Sequence, residues 1–419
     1  MAGLNIIQFY SDNGAAEWNV SQWRSLSPAN AINAAHERGE TPHTMQLFYL
    51  PSALNWRHPE VQRKVGMGDV LVFQRNAIAP EVWEAMDYWR ALGKAVVVDV
   101  DDHYPMIPPS NPAFDPWIRN THGAPMSPVE AFKTGLSHAD GLLSPSKVIL
   151  QDWSSLIKGY YLPNLCTREW YAGLDQRPVG APDVTLDYTP ERQLAATLKP
   201  GTEGQIILGW GGSISHVDSW LYSGLIEALD RLFEEVPALR LKFCGSEGRL
   251  DAVFARWGER VVKQPTVGHA DWPVVISSFD IGLAPLDLRP LEPWLPGSPV
   301  AAYDERRSWL KGIEYLCAGV PWVASRGLTY AELAGRGGMV ENTPQAWYDA
   351  LKFQITHLAD VKRQAWHGRK WALRALTLEG QTAQQLSVYE RIYAERQRDR
   401  GGDLPGVQRF TRGVTLAAS

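Results

Sequence analysis

The sequence predicts an α/β protein built from two doubly wound, Rossmann-like domains that face each other across a cleft. Three observations predict it. At 419 residues the chain exceeds what one ordinary core holds. A strand, a glycine-containing loop and a helix open the chain at Leu4 and again at Gln205, and strand–helix alternations follow each opening. Between them, Pro, Gly and charged residues break the pattern. The expected organisation is a first domain over 1–177, a linker over 178–204, a second domain over 205–398 and a tail over 399–419. The last helix of the second domain is placed so that it can pack back on the first.

The composition is that of a soluble globular chain, 45% apolar and 21% charged. A net charge of −5 excludes the overall basic footprint of a nucleic-acid binder, though not a local basic groove. Cys166, Cys244 and Cys317 are far apart and lack metal-ligand spacing, so no metal site is expected and the thiols read as reduced, in a cytoplasmic protein. The start, MAGLNIIQFYSDNG, lacks the basic and apolar regions of a signal peptide, and no stretch approaches the roughly 20 apolar residues of a membrane helix. The eighteen tryptophans include residues suited to stacking on sugars or bases, but most are expected to fill core.

In the first half, LNIIQFY is a strand, Ser11 to Glu17 is a polar loop at its carboxyl end, and QWRSLSPANAINAAHERG is a helix closing at Gly39. MQLFYLP and DVLVFQR are further strands, the latter ending in Arg75. A helix spans about 79–92, and KAVVVDVDDHY is an apolar run terminating in Asp99, Asp101, Asp102 and His103. Unpaired carboxylates past a buried strand are costly, so this cluster points to function. Two readings stay open: a metal-holding D-x-D at Asp99 and Asp101, or a cleft where Asp101, Asp102 and His103 handle substrate hydroxyls without metal. Helix capping by Asp102 is the bland alternative. The Pro-rich stretch 105–128 reads as a long surface loop, and GLLSPS and YYLPN complete the sheet.

In the second half, QIILGWGGSISHVDSW is a strand that ends in glycines and feeds a long helix. It is not G-x-G-x-x-G, so a dinucleotide site is not expected. LRLKFCGS, VVKQPTV and DIGLAPL are strands. Asp304 to Ser325, DERRSWLKGIEYLCAGVPWVAS, then reads as a loop too charged for core, a helix ending at Gly319, and a buried strand. Periodicity puts Trp309, Ile313 and Leu316 on the helix's apolar stripe, with Lys311, Glu314 and Tyr315 off it. A helix start after a polar loop offers unpaired N–H groups to an anion, and a nucleotide diphosphate is the expected ligand.

The order ILGWGGSISH, LKFCGS, DIGLAPL and RRSWLKGIEYLCAGVPWVAS resembles the nucleotide-sugar glycosyltransferases of the GT-B fold, close to family 4, the group 1 glycosyl transferases. WRSLSPA, VFQR, KAVVVDVDD, ADGLLSPS and YYLPN resemble that group in the first half. The family's signature is two glutamates eight positions apart. Glu314 matches the second, which implies a role on the donor's ribose hydroxyls. The first falls on Arg306, a departure at the position that contacts the donor sugar.

The resemblance implies a diphosphate-binding turn at Ser308, Trp309, Leu310 and Lys311, approached by Gly211, Gly212 and Ser213. The family's basic pair near the first strand is missing, and Arg306, Arg307 and Lys311 stand as its replacements. Asp101, Asp102 and His103 would face the acceptor or the donor sugar. The implied reaction is transfer with retention and without metal, from a nucleotide sugar such as a UDP- or GDP-sugar as co-substrate, with no tightly bound cofactor. The acceptor stays open among polysaccharide, lipid-linked glycan, protein and a hydroxylated DNA base. For DNA, Arg57, Arg63, Lys64, Arg119 and Arg168 are candidate contacts, although scattered charges are more often a solvated face. The alternatives are a sugar-nucleotide-binding protein without transfer activity and an epimerase on the same fold.

Overall fold

The computed structural model describes residues 3–11, 20–120, 123, 125–175, 204–245, 248–292 and 300–401. The expected linker and tail, and most of the loop Ser11 to Glu17, lie outside them. Six strands build a first sheet: β1 (Asn5–Tyr10), β2 (Thr44–Tyr49), β3 (Val70–Gln74), β4 (Ala95–Asp99), β5 (Gly141–Ser144) and β6 (Gly159–Tyr161). Six more build a second: β7 (Ile206–Gly212), β8 (Leu239–Gly245), β9 (Val261–Gln264), β10 (Ile281–Ala284), β11 (Trp322–Ser325) and β12 (Gly338–Val340). All pairings within the two sheets are parallel, in the orders β2-β1-β3-β4-β5-β6 and β12-β11-β10-β7-β8-β9.

Parallel strands covered by helices on both faces must be apolar on both sides, which is why VLVFQ and AVVVD are buried at every position. One face of the first sheet packs Phe9, Phe73 and Val98 in a cluster with Trp153, which follows the helix Lys147–Asp152. The other carries Ile6, Val72 and Val97 against Leu386, Tyr389 and Ile392 of the helix Leu378–Gly401. That helix therefore leaves the second sheet and packs on the first. Among the described helices, none is long and apolar enough to cross a membrane.

Two sequence expectations change. The helix after β7 is not continuous: a short Val217–Leu221 helix and a second, Leu225–Glu235, are separated at Gly224, whose φ of 83° breaks the run. The loop DERRS is not excluded from the core either. Asp304 and Arg306 are both buried, because each charge is matched by a partner in the interior.

Arg306 spans the two halves. Its Nε and Nη2 donate to the two carboxylate oxygens of Asp152 at 2.6 and 3.1 Å, and Nη1 donates to the Ala302 carbonyl at 3.0 Å. His103 lies on the same carboxylate, Nε2 to Oδ2 at 3.2 Å. Removing one partner of a buried pair strands the other charge, so Arg306→Ala should lower unfolding stability by about 3 to 5 kcal/mol, read from the urea midpoint. Replacing both, Arg306→Met with Asp152→Leu, should restore part of that loss.

Candidate functional site

In open parallel sheets, ligands collect beyond the carboxyl ends of strands where the strand order reverses. The first sheet reverses between β1 and β3, the second between β7 and β10. Both reversals open into one cavity of about 700 Å³. Its first-half wall carries Trp23, Arg24, Arg75, Asp101, Asp102 and Asn164. Its second-half wall carries Gly211, Gly212, Ser213, His216, Arg307, Ser308, Leu310, Lys311 and Glu314.

Three of the expected residues are elsewhere. His103 is 2% exposed and turned to Asp152. Burial and the nearby Arg306 pull its pKa down to about 3, so it is a neutral core imidazole and not a cleft acid or base. Arg306 is absorbed by Asp152, which corrects its expected role as a cation in the cleft. Trp309 points its indole Nε1 to the Asn164 carbonyl at 2.8 Å, so only its neighbours face the cavity.

The helix Leu310–Ala318 starts at the cavity, with Ser308, Leu310 and Lys311 on the wall and no side chain capping its first turn. Its first N–H groups have no partner within the helix. From Gly312 to Ala318 every residue of this helix is buried, so the face that periodicity set apart from the apolar stripe is not solvent-exposed; Glu314 and Tyr315 are buried. The Glu314 carboxylate accepts a hydrogen bond from Trp272 Nε1 at 3.0 Å. Burial pushes its pKa up to about 7, against the pull of Lys311 and of the indole. Gly211 is required by the same arrangement, since a Cβ there would stand 2.1 Å from the Trp272 ring.

Lys311 sits 5.2 Å from the Trp210 ring centroid and forms no salt bridge with any described carboxylate. Burial pulls its pKa down to about 8; Glu314 opposes the fall and Arg307 adds to it. Arg307 is held on three sides: Nε by Asp304 at 2.8 Å, Nη2 by the Ser215 carbonyl at 2.9 Å, and Nη1 by a His216 ring nitrogen at 2.7 Å. Burial, with Arg307 and Lys311 close by, keeps that imidazole neutral, so it can accept the bond.

The first-half wall is a set of ion pairs. Arg75, at a left-handed φ of 59°, grips Asp101 with Nε and Nη2 at 3.0 and 3.3 Å, and lies 3.8 Å from Asp102. Tyr303 donates its hydroxyl to Asp102 at 3.0 Å. Burial, then the neighbouring Asp101, push the Asp102 pKa up while Arg75 opposes. Arg24 holds Asp99 through two bonds and also donates to Asn164 Oδ1 at 3.0 Å. Asn164 Nδ2 in turn donates to Ser308 Oγ at 3.0 Å, joining the first sheet to the helix start. With Asp99 and Asp101 each held by an arginine, the D-x-D reading loses its open carboxylates.

Arg24, Asn164, His216 and Trp272 were not assigned from the sequence. Arg24 sits inside a helical run and Trp272 inside a short one, with nothing local to mark them. Arg75 and Asn164 were visible, as the last residue of a strand and as part of a Pro-Asn turn. Of the cations considered for DNA, Arg57 pairs with Glu84, Lys64 with Glu60 and Arg119 with Asp115, and Arg168 Nε donates to the Leu373 carbonyl.

No family model and no curated protein matches this chain. Solved structures do. A sucrose-phosphate synthase from Thermosynechococcus elongatus superposes with a TM-score of 0.60 at 13% identity, covering 94% of this chain and 100% of that one. The fold is GT-B. A UDP-forming α,α-trehalose-phosphate synthase from Burkholderia xenovorans in complex with glucose-6-phosphate matches with a TM-score of 0.52 at 12% identity, over 94% and 100% of the two chains. An O-GlcNAc transferase from Thermobaculum terrenum matches with 0.52 at 16%, over 95% and 69%. At these identities the likeness concerns the GT-B architecture, and the chemistry has to be argued from the cavity.

The raised Glu314 pKa has a sign that can be tested. The folded state holds this proton more tightly than the unfolded chain does, so the stability it contributes is present at low pH and is lost as pH rises from about 4.5 towards 7. Melting temperatures of the wild type and Glu314→Gln should diverge across that window, the variant losing less. Lys311, depressed in the fold, should act oppositely between about 8 and 10.5, where stability rises with pH relative to Lys311→Met.

Proposed function

We propose that the protein is a glycosyltransferase that moves a sugar from a nucleoside-diphosphate sugar to an acceptor hydroxyl, with retention and without a metal. The observation that carries this reading is Lys311. It is a cation with no carboxylate within salt-bridge distance among the described residues, placed at a helix start beyond the strand-order reversal of the second sheet. A leaving diphosphate develops negative charge, and a fixed cation together with unpaired helix N–H groups stabilises it. The solved neighbours named above, a UDP-forming synthase among them, support a nucleotide-sugar donor and favour UDP.

In this reading Glu314 accepts hydrogen bonds from the ribose hydroxyls, held in place by Trp272. Gly245, Thr266 and Val267, on the same wall, border the space left for the base. Arg307 supports the diphosphate turn from behind. Asp101 and Asp102 orient the acceptor, and no residue is assigned as general base. Arg306, at the position of the family's first glutamate, acts by holding the halves together, so the donor sugar must be recognised by other groups on the wall. The nucleotide-sugar donor is a co-substrate, and a cytoplasmic location belongs to the same proposal.

A thermal-shift panel of UDP, GDP, ADP and dTDP, with and without sugars, tests the assignment. One nucleotide should stabilise the wild type, and Glu314→Ala should abolish the effect; unchanged binding would remove Glu314 from the ribose. Lys311→Met should weaken the nucleoside diphosphate by about tenfold or more while leaving the nucleoside unaffected. Release of free nucleoside diphosphate from the sugar donor separates a transferase from a protein that only binds.

A further inference from the structure

The cavity's charge inventory bears on the acceptor. Among the described residues, four cationic side chains line the cavity: Arg24, Arg75, Arg307 and Lys311. Three already hold a carboxylate. Arg24 is bonded to Asp99 and is only 3% exposed, Arg75 to Asp101, and Arg307 to Asp304. Asp102 adds a further carboxylate to the first-half wall, where its distance to Arg75 is 3.8 Å. Lys311, the cation not bound to a carboxylate, belongs to the opposite wall, within reach of Gly212 at the end of β7.

One anion can be met by this arrangement, at the helix start. A second, placed on the first-half wall, would have to take Arg75 away from Asp101. It would then lie beside two carboxylates, one of them newly unpaired. Ionised carboxylates are acceptors only, and what they match is a set of O–H donors. We propose that the group entering the first-half end of the cavity is an uncharged, hydroxyl-bearing one such as a sugar ring, and that its phosphate esters are refused. Asp101 and Asp102 accept hydrogen bonds from its hydroxyls, and Arg75 fixes the Asp101 carboxylate for that purpose. The inference rests on the donor reading above and adds the class of acceptor to it.

Calorimetric titration of the full chain tests it in two stages. The first adds UDP, GDP, ADP and dTDP in turn; failure of all four to bind overturns the donor reading itself. The second adds matched pairs to the nucleotide-saturated protein: glucose with glucose 6-phosphate, mannose with mannose 6-phosphate, galactose with galactose 1-phosphate. At least one neutral sugar should bind, with its ester weaker by about tenfold or more. Asp101→Asn, which removes the Arg75–Asp101 ion pair, should narrow that gap by about tenfold, and Asp102→Asn should narrow it less. The second variant carries the test if the first does not fold. A phosphate ester that binds as tightly as its parent sugar, or a panel in which no neutral sugar binds, overturns the inference while leaving the donor assignment intact.

Discussion

One buried carboxylate organises the approach to the cavity. Asp304 is 3% exposed, takes hydrogen bonds from Ser219 Oγ at 2.6 Å and from the Asp287 N–H at 2.7 Å, and is ion-paired with Arg307 Nε at 2.8 Å. Its own carbonyl accepts from Thr329 Oγ1. These bonds draw together the segment after β10, the helix after β7 and the stretch after β11. A charge taken this far from water is tolerated only when its lone pairs are filled, and filling them fixes where the chain can enter the helix Leu310–Ala318. The positions of Ser308, Lys311 and Glu314 follow from that entry point.

The cavity is defined as much by which charges are cancelled as by which are present. Three arginines reach it, and each is answered by an aspartate: Arg24 by Asp99, Arg75 by Asp101 and Arg307 by Asp304. The pairs build walls and leave little net field. Lys311 and Glu314, one turn apart, are the exception. Burial pushes both towards their neutral forms, and each restrains the other. A ligand that presents hydroxyls to one and negative charge to the other would favour the ionised state of both.

The fold was legible because it rests on features that repeat. Strand–helix alternation and all-apolar strands recur along the chain and do not depend on any single residue. β12 escaped notice, because Gly338–Val340 is three half-buried residues with no apolar run. At the site, Glu314 and Lys311 stood out through the resemblance carried by their segment. Arg306 and His103 were misplaced for one shared reason: both are polar residues satisfied by Asp152, about 50 residues from one and 150 from the other, and sequence spacing carries no trace of such a partner. The charged run DERRS misled because Arg306 is satisfied by the remote Asp152, while Asp304 is buried against Arg307 of the same run and takes hydrogen bonds from Ser219 and the Asp287 N–H. Trp272 and Gly211 show the converse, a packing contact between two elements that makes a glycine necessary without any turn to announce it.

The helix Leu378–Gly401 has a mechanical meaning. Two-lobed proteins usually open about a single strip of chain, and a wide swing is then cheap. Here the chain crosses back after the second sheet is complete, and Leu386, Tyr389 and Ile392 are rooted in the first sheet, with Arg396 bonded to the Arg90 carbonyl. The backbone also joins Cys166 to Leu376 and Leu378, where the crossing begins. The two halves thus share this helix as a connection, and Arg306 with Asp152 and Tyr303 with Asp102 join them as well. A hinge between the halves would therefore work against those contacts and against the helix that crosses them.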